Sequence, residues 1–377
     1  MIKPNADALQ WAEAVWPKML AKMDAQVDRM GSNVPYTLVD GKFNDMIEKS
    51  VYWWTNGFWP GMLWLMYNDT KDERYRKAAE KIEERFDDAL AGYEGLHHDV
   101  GFMWTLSSRL NHKITGNPRS RARALHAANI LAGRYNPRGH YIGAWNNERS
   151  TWIIIDCMMN IPILYWASRE INDPRYKYTA IEHADTALKY LVRPDGSCNH
   201  IGVMDPHNGN LLETPAGQGY AAGSAWSRGQ SWALYGFALS YIHTGDEKYL
   251  EASLRIAEFV LKNLAETNYA PAVDYFAPKE PKLVDTSAGT IAAAGLLTLS
   301  GIDKNFKKDF CMEGAMNILR SLESSYADWD PQKDFIVRNG AVLYHAKPEE
   351  LNCPLIYGDY YFLEALFHLQ HPDLEIW

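Results

Sequence analysis

A short motif recurs along the chain, and each time it opens an amphipathic helix. Asp72-Glu73-Arg74-Tyr75, Asp173-Pro174-Arg175-Tyr176 and Asp246-Glu247-Lys248-Tyr249 share one layout. After the first copy, Tyr75, Ala78, Ala79, Ile82, Phe86 and Leu90 fall on one helical stripe with charged residues opposite. Tyr249, Ala252, Ser253, Ile256 and Val260 repeat that stripe after the third. The leading Asp suits an N-cap, and an acid after it suits the first turn. Looser copies stand at Asn117-Pro118-Arg119 and Asp303-Lys304-Asn305-Phe306. The starts are 45 to 73 residues apart, which is the chain a helical hairpin with its loops requires.

The segments between the copies are different. Residues 57–67, 152–167, 226–242, 288–299 and 357–369 are nearly apolar on every face, and HHDVGF at 97–102 leads into another inner helix. A helix apolar all round is buried all round. Each unit is therefore a buried helix, a turn and an outer helix. A helix at about 6–30 closes the sixth unit, giving twelve helices in two rings. An open solenoid is the alternative, but bulky Trp and Phe on several faces of the inner helices favour closure. The fold expected is all-α, an (α/α)6 barrel, with residues 1–377 forming one domain. Strand signal is confined to short candidates at 273–276 and 335–337.

Composition narrows the function. A formal net charge of −9 excludes a nucleic-acid partner and gives no general attraction for an anionic ligand, which would need a local cation. Nothing approaches the run of about 20 apolar residues that spans a bilayer, and no apolar stretch follows Lys3. Cys157, Cys198, Cys311 and Cys353 form neither a CxxC pair nor a ligand cluster, so they read as free thiols. The expectation is a cytoplasmic protein without membrane contact. Aromatic residues make up 13% of the chain, with 14 Trp and 22 Tyr, enough for a large core or for a cleft that stacks sugars.

In such a barrel the loops feeding the inner helices form the mouth. Asp156, within the apolar run Trp152-Ile-Ile-Ile-Asp-Cys-Met-Met-Asn-Ile-Pro, is a carboxylate placed early in a buried helix. Burial raises a carboxyl pKa, as a general acid requires; a structural Asp paired in the core is the other reading. Asp99, in His97-His98-Asp99-Val100-Gly101-Phe102, is a second acid or a helix cap. The two histidines lack the i, i+4 spacing of common zinc sites, so no metal is expected. The glycine-rich stretch 217–232 carries no GK[ST] and is no phosphate loop. In it Arg228 and Trp232 share a helix face as carboxylate clamp and stacking floor, or as core residues. Trp54 and Asn56 open the first inner helix, Trp145 precedes the third, and His200 alone reads as a surface histidine.

Taken in order, WTNGFWPGMLWL, HHDVGF, AW at 144–145, IIIDC, the Gln218 loop, WSRGQSWALYGFAL, DTSAGTIAAAGLL and YGDYYFLEAL resemble the unsaturated glucuronyl hydrolases of glycoside hydrolase family 88, over residues 50–370. The resemblance implies an (α/α)6 barrel without metal or other cofactor. It implies removal of the unsaturated uronate that polysaccharide lyases leave at the non-reducing end of acidic oligosaccharides. C4 of the vinyl ether is protonated, water adds at C5, and the hemiketal collapses. It further implies Asp156 as acid/base and Asp99 as the second essential carboxylate. Trp54, His98, Trp145, His200, Gln218, Arg228, Trp232 and Tyr344 match substrate-contact positions, while Asn56 stands where some members carry Asp. A hydrolase of unsaturated galacturonyl-rhamnose, a sugar 2-epimerase with histidine bases, and a non-catalytic sugar-binding toroid are the competing readings.

Overall fold

The computed structural model describes residues 3–39 and 41–377. Six helices form the inner ring: α2 (Phe58–Thr70), α4 (residues 100–115), α6 (Pro162–Glu170), α8 (Ser227–Thr244), α10 (Thr286–Ser300) and α12 (Ile356–Gln370). Six surround them: α1 (Ala6–Met30), α3 (Glu73–Arg85), α5 (Pro118–Ala132), α7 (Pro174–Leu191), α9 (Glu247–Ala265) and α11 (Lys308–Tyr326). α12 packs on α2 to close the inner ring, and α1 packs on α12 as the outer partner of the last unit. The expected (α/α)6 barrel is the observed one.

The two rings differ as their sequences require. Every residue of α8 from Ser227 to Ser240 is buried, as is every residue of α12 from Ile356 to Leu369. The outer helices bury one stripe; in α3 it is Tyr75, Ala78, Ala79 and Ile82, with Glu83 beside them. Asp72, Asn117, Asp173 and Asp246 all cap as the motif predicts, each accepting a backbone N–H two residues on. The fifth copy does not: α11 begins at Lys308, and Asp303 lies before it in ion pairs with Lys3 and Lys308.

A second correction concerns residues 152–167, which are not one helix. Trp152–Ile154 is a strand (β1), Ile155–Met159 is a tight 3-10 turn, and α6 starts only at Pro162, whose ring suits a first helical position. β1 pairs antiparallel with β2 (Ile201–Met204), which pairs with β3 (Leu211–Glu213). Three β-branched residues in succession fit a strand better than a helix. The strand candidates at 273–276 and 335–337 supply only isolated bridges, Trp226 with Asp274 and Ala327 with Val337.

The barrel has unlike ends. The N-termini of the inner helices converge at one, together with β1 and β2. The segment after α12 crosses the other. There Arg109 donates to the carbonyls of Glu375 and Ile376 at 2.9 and 2.5 Å, and Trp377 is buried face to face with Tyr361. All four cysteines are free and buried, and among the described residues no helix is long and apolar enough to cross a membrane.

Candidate active site

Two carboxylates meet at the end where the inner helices begin. Asp156 sits in the 3-10 turn after β1, and Asp99 immediately before α4. Their side chains keep 13% and 11% of their surface exposed, so both reach the mouth. Asp99 does not cap α4, since its carboxylate accepts no backbone N–H there. It accepts instead from Asn160 Nδ2 at 3.1 Å. Burial, then the charge of Asp156, pushes Asp99 up to about 8, against the Asn160 hydrogen bond and Arg134. A raised pKa is found on Asp99, whereas the sequence pointed to Asp156 as the raised acid.

Asn160 organises the pair. Its Oδ1 accepts the Phe102 N–H at 2.7 Å, which fixes the orientation of the amide. Its Nδ2 then faces Asp99, the Asp156 carbonyl at 3.4 Å and His98 Nδ1 at 3.4 Å. A Cβ on Gly101 would lie 2.4 Å from the Asn160 backbone, so the Gly of HHDVGF is what lets α4 approach this residue. With Nδ1 of His98 accepting, its ring proton lies on Nε2, 3.5 Å from Asp99 Oδ2. His97, His98 and Asp99 do bring three ligand atoms within 4.8 Å of one another. A metal would need the Nε2 lone pair that this tautomer lacks, so the group fits a hydrogen-bonded carboxyl better than a metal centre. Burial holds His97 down to about 4 and His98 well below its usual value, so both rings are neutral at pH 7.

His200 serves Asp156 as the other histidines serve Asp99. It is 6% exposed, not the surface residue its sequence context suggests. The Gln218 N–H donates to its Nδ1 at 3.0 Å, leaving the proton on Nε2, 3.3 Å from Asp156 Oδ2. Gly217 has φ +60, and a Cβ there would meet His200 Nδ1 at 2.0 Å. The backbone joins these parts: Ile155 N–H donates to His200 O, and His98 N–H to Ala144 O, both at 3.0 Å.

An aromatic belt lies beneath the mouth. The His200 ring lies 4.4 Å from Trp226, the Arg228 guanidinium 4.5 Å from Trp226 and 5.2 Å from Tyr357, and Tyr357 5.0 Å from Trp54. Trp145, half-buried, stands 6.5 Å from His98. Arg228 braces this wall. Its terminal nitrogens pair with Asp285 and donate to the carbonyls of Ala341 and Val342. Burial opposes its charge, but Tyr357, Asp285 and Asp156 hold its pKa above the usual value. Gln218 also donates to Val342 O, at 2.9 Å, and accepts from the Tyr344 N–H, so the two residues fix the loop that carries Tyr344. Trp232 is fully buried between Phe102 and Tyr361 and belongs to the core beneath the mouth. Asn56 is likewise buried, its amide donating to the carbonyls of Ser50 and Val51.

Comparison with known proteins fits this geometry. The family model described as Glycosyl Hydrolase Family 88 matches residues 26–242. The chain belongs to glycoside hydrolase family 88. It is 36% identical to an unsaturated glucuronyl hydrolase from Bacillus sp. (strain GL1), over 86% of this chain and 88% of that protein. It is 34% identical to an unsaturated chondroitin disaccharide hydrolase from Streptococcus pyogenes serotype M1, over 83% and 80%. A solved unsaturated glucuronyl hydrolase in complex with dGlcA-Glc-Rha-Glc superposes with TM-score 0.88 at 33% identity, covering 95% of this chain and 96% of the other. The protein is thus a glycoside hydrolase. Sequence reasoning missed three of the residues that build its site. Asn160 is hidden in the apolar run four residues after Asp156, while Trp226 and Tyr357 look like core aromatics until the belt assembles them.

Proposed function

We propose that this family 88 hydrolase releases the unsaturated uronate from the non-reducing end of lyase-generated acidic oligosaccharides, by hydrating its C4=C5 double bond. The observation that carries the reading is the Asp99–Asp156 pair at the mouth, with a histidine Nε2 facing each carboxylate. Two coupled acids, one raised to about 8, retain one proton between them at neutral pH. Asp156 relays that proton to C4, and the pair is left without it until the attacking water returns one. Positive charge develops at C5 and the ring oxygen, and the carboxylate left behind draws a proton from water as it attacks C5. The resulting hemiketal opens, and the bond to the next sugar is released. His200 Nε2–H, 3.3 Å away, steadies Asp156 once its proton has left; Asp99 keeps the shared proton in reach and holds ring hydroxyls.

The anionic end of the substrate finds what the net charge of −9 does not supply. The inner helices direct their N-terminal partial positive charges at the mouth, and the Arg228 charge lies behind the belt. Trp54 and Trp145 offer apolar faces to pyranose C–H groups. Relatives named for glucuronyl and chondroitin disaccharide substrates support the same chemistry here, over the pectin-derived and epimerase readings. The test is ultraviolet absorbance of unsaturated disaccharides incubated with the protein and EDTA. Hydration destroys the conjugated C=C–carboxylate, so absorbance falls with wild type. No loss across glucuronyl and galacturonyl substrates overturns the reading.

A further inference from the structure

Arg134, two residues beyond α5, is a half-buried cation whose hydrogen bonds all end on neutral oxygens. Its Nε donates to Gly143 O at 2.8 Å. Its terminal nitrogens donate to Trp145 O at 2.5 Å, to Asn146 Oδ1 at 2.9 Å and, at the limit of reach, to Leu96 O at 3.5 Å. In return the Gly143 N–H donates to Arg134 O at 3.1 Å. The guanidinium thus grips the chain on both sides of Ala144. Ala144 O is the acceptor of the His98 N–H at 3.0 Å, and the Ala144 N–H donates to Trp152 O at 2.7 Å, where β1 starts toward Asp156. Asn146 Nδ2 extends the clamp to the carbonyls of Glu94 and Leu96. A planar fork holds several carbonyls at once, which an ammonium group does not.

The charge of this fork is not spent on a neighbour. Among the described residues no carboxylate forms an ion pair with Arg134. Tyr93, Cys157 and Asp99 face it, and burial keeps the Cys157 thiol protonated. Asp99 in turn is faced by Asp156, the Asn160 amide, the neutral rings of His97 and His98, and Arg134. Arg228 acts on Asp156 but is paired with Asp285. Burial works against the charge of Arg134, yet a guanidinium stays protonated in a protein. We propose that Arg134 is a positioning residue for the hydration reaction, its fork seating Trp145 and the His98–Asp99 corner and its charge serving as the counter-charge of Asp99. The inference rests on the functional reading above, in which Asp99 and Asp156 share one proton.

The experiment compares Arg134→Gln with Arg134→Lys in pH profiles of kcat/KM on an unsaturated disaccharide. Arg134→Gln removes a charge that favours the ionised form of Asp99, so the alkaline limb moves up by about one pH unit. Arg134→Lys keeps the charge and leaves the limb in place. It loses the fork, and KM rises by about two- to tenfold as Trp145 shifts, the range for one hydrogen bond. NMR titration of the isotope-labelled Asp99 carboxyl, assigned with Asp99→Asn, reads the charge effect without turnover. An arginine that is only structural lowers the rate at every pH and moves neither the limb nor the titration in Arg134→Gln, and that result overturns the proposal. Where Arg134→Gln does not fold, Arg134→Lys decides through KM, and an unchanged KM overturns it. If wild type hydrates no disaccharide, the functional reading fails separately, and the titration still decides the role of Arg134.

Discussion

Each end of the barrel buries an acid with a raised pKa, yet only one end is built for chemistry. At the closed end Glu364 is pushed up to about 7 by burial. It is fully buried, and its oxygens accept from Tyr235 Oη at 2.7 Å and Trp377 Nε1 at 2.9 Å. At the mouth Asp99 is pushed up to about 8, first by burial and then by a second carboxylate, and keeps part of its side chain exposed. Around it Asp156 Oδ2, His98 Nε2, His200 Nε2 and Trp226 Nε1 are buried polar atoms without hydrogen-bond partners. Buried polar atoms are normally paired. A shifted pKa thus marks burial, and catalysis is marked by the shift together with exposure and a second acid.

The largest test of that distinction exchanges each acid for its amide. Asp156→Asn removes the group that delivers the proton, and kcat falls by about 10²–10⁴, the usual range for general acid–base catalysis. Glu364→Gln keeps an acceptor oxygen for Trp377 Nε1 and offers its amide N–H to the Tyr235 hydroxyl, which can turn to accept, and kcat stays within about threefold. Absorbance assays on both variants read this out. An inactive Glu364→Gln that remains folded by circular dichroism breaks the comparison.

The next effect is on stability. Trp377 is 3% exposed and packs on Tyr361, Tyr235 and Phe102. Trp377→Ala costs about 3–5 kcal/mol, as large core aromatics do, and denaturant unfolding measures it. Half-buried Trp145 shows the reverse pattern: Trp145→Ala raises KM and costs less stability. If both variants change KM alike, the closed end is coupled to the mouth through Phe102.

The same contrast governs what was legible in the sequence. The rings were, because burial of a whole helix and of one stripe leave different residue patterns, and because Asp72, Asn117, Asp173 and Asp246 are caps with a local signature. Asp99 and Asp156 were legible as acids in apolar surroundings. The turn around Asp156 was not, because the unbroken apolar run has no periodicity to separate a buried strand from a buried helix; three β-branched residues lean to a strand, and pairing with β2 decides. Asn160 escaped because its partners, Phe102 and Asp99, lie about sixty residues away in sequence. Trp226 and Tyr357 escaped because an aromatic residue at the edge of a core has the same sequence context as one within it.

A finer measurement uses the pH dependence of stability. The folded pKa of Glu364 is raised above its unfolded value, so the folded state binds more protons between about 4.5 and 7. Its contribution is fully present below that window and is lost as pH rises through it. Glu364→Gln removes this slope. The difference in unfolding free energy between wild type and variant therefore changes across the window and is flat above it. A difference that is constant with pH means that Glu364 is ionised in the folded protein, and the resemblance between the two acids disappears.

The smallest expected effect lies at the mouth and concerns a residue that touches both acids. As pH rises past about 8 the carboxylate pair loses its shared proton, and kcat/KM declines on the alkaline side. Asn160 Nδ2 favours the ionised form of Asp99, so Asn160→Ala raises the Asp99 pKa and moves that alkaline limb to higher pH. It also strips the Phe102 N–H of its acceptor, which costs about 1–3 kcal/mol of stability. A general loosening of the fold lowers the rate at every pH without moving the limb. A shift of the limb, whatever the absolute rate, places Asn160 in control of the proton on Asp99, and an unmoved limb assigns it to holding α4 alone.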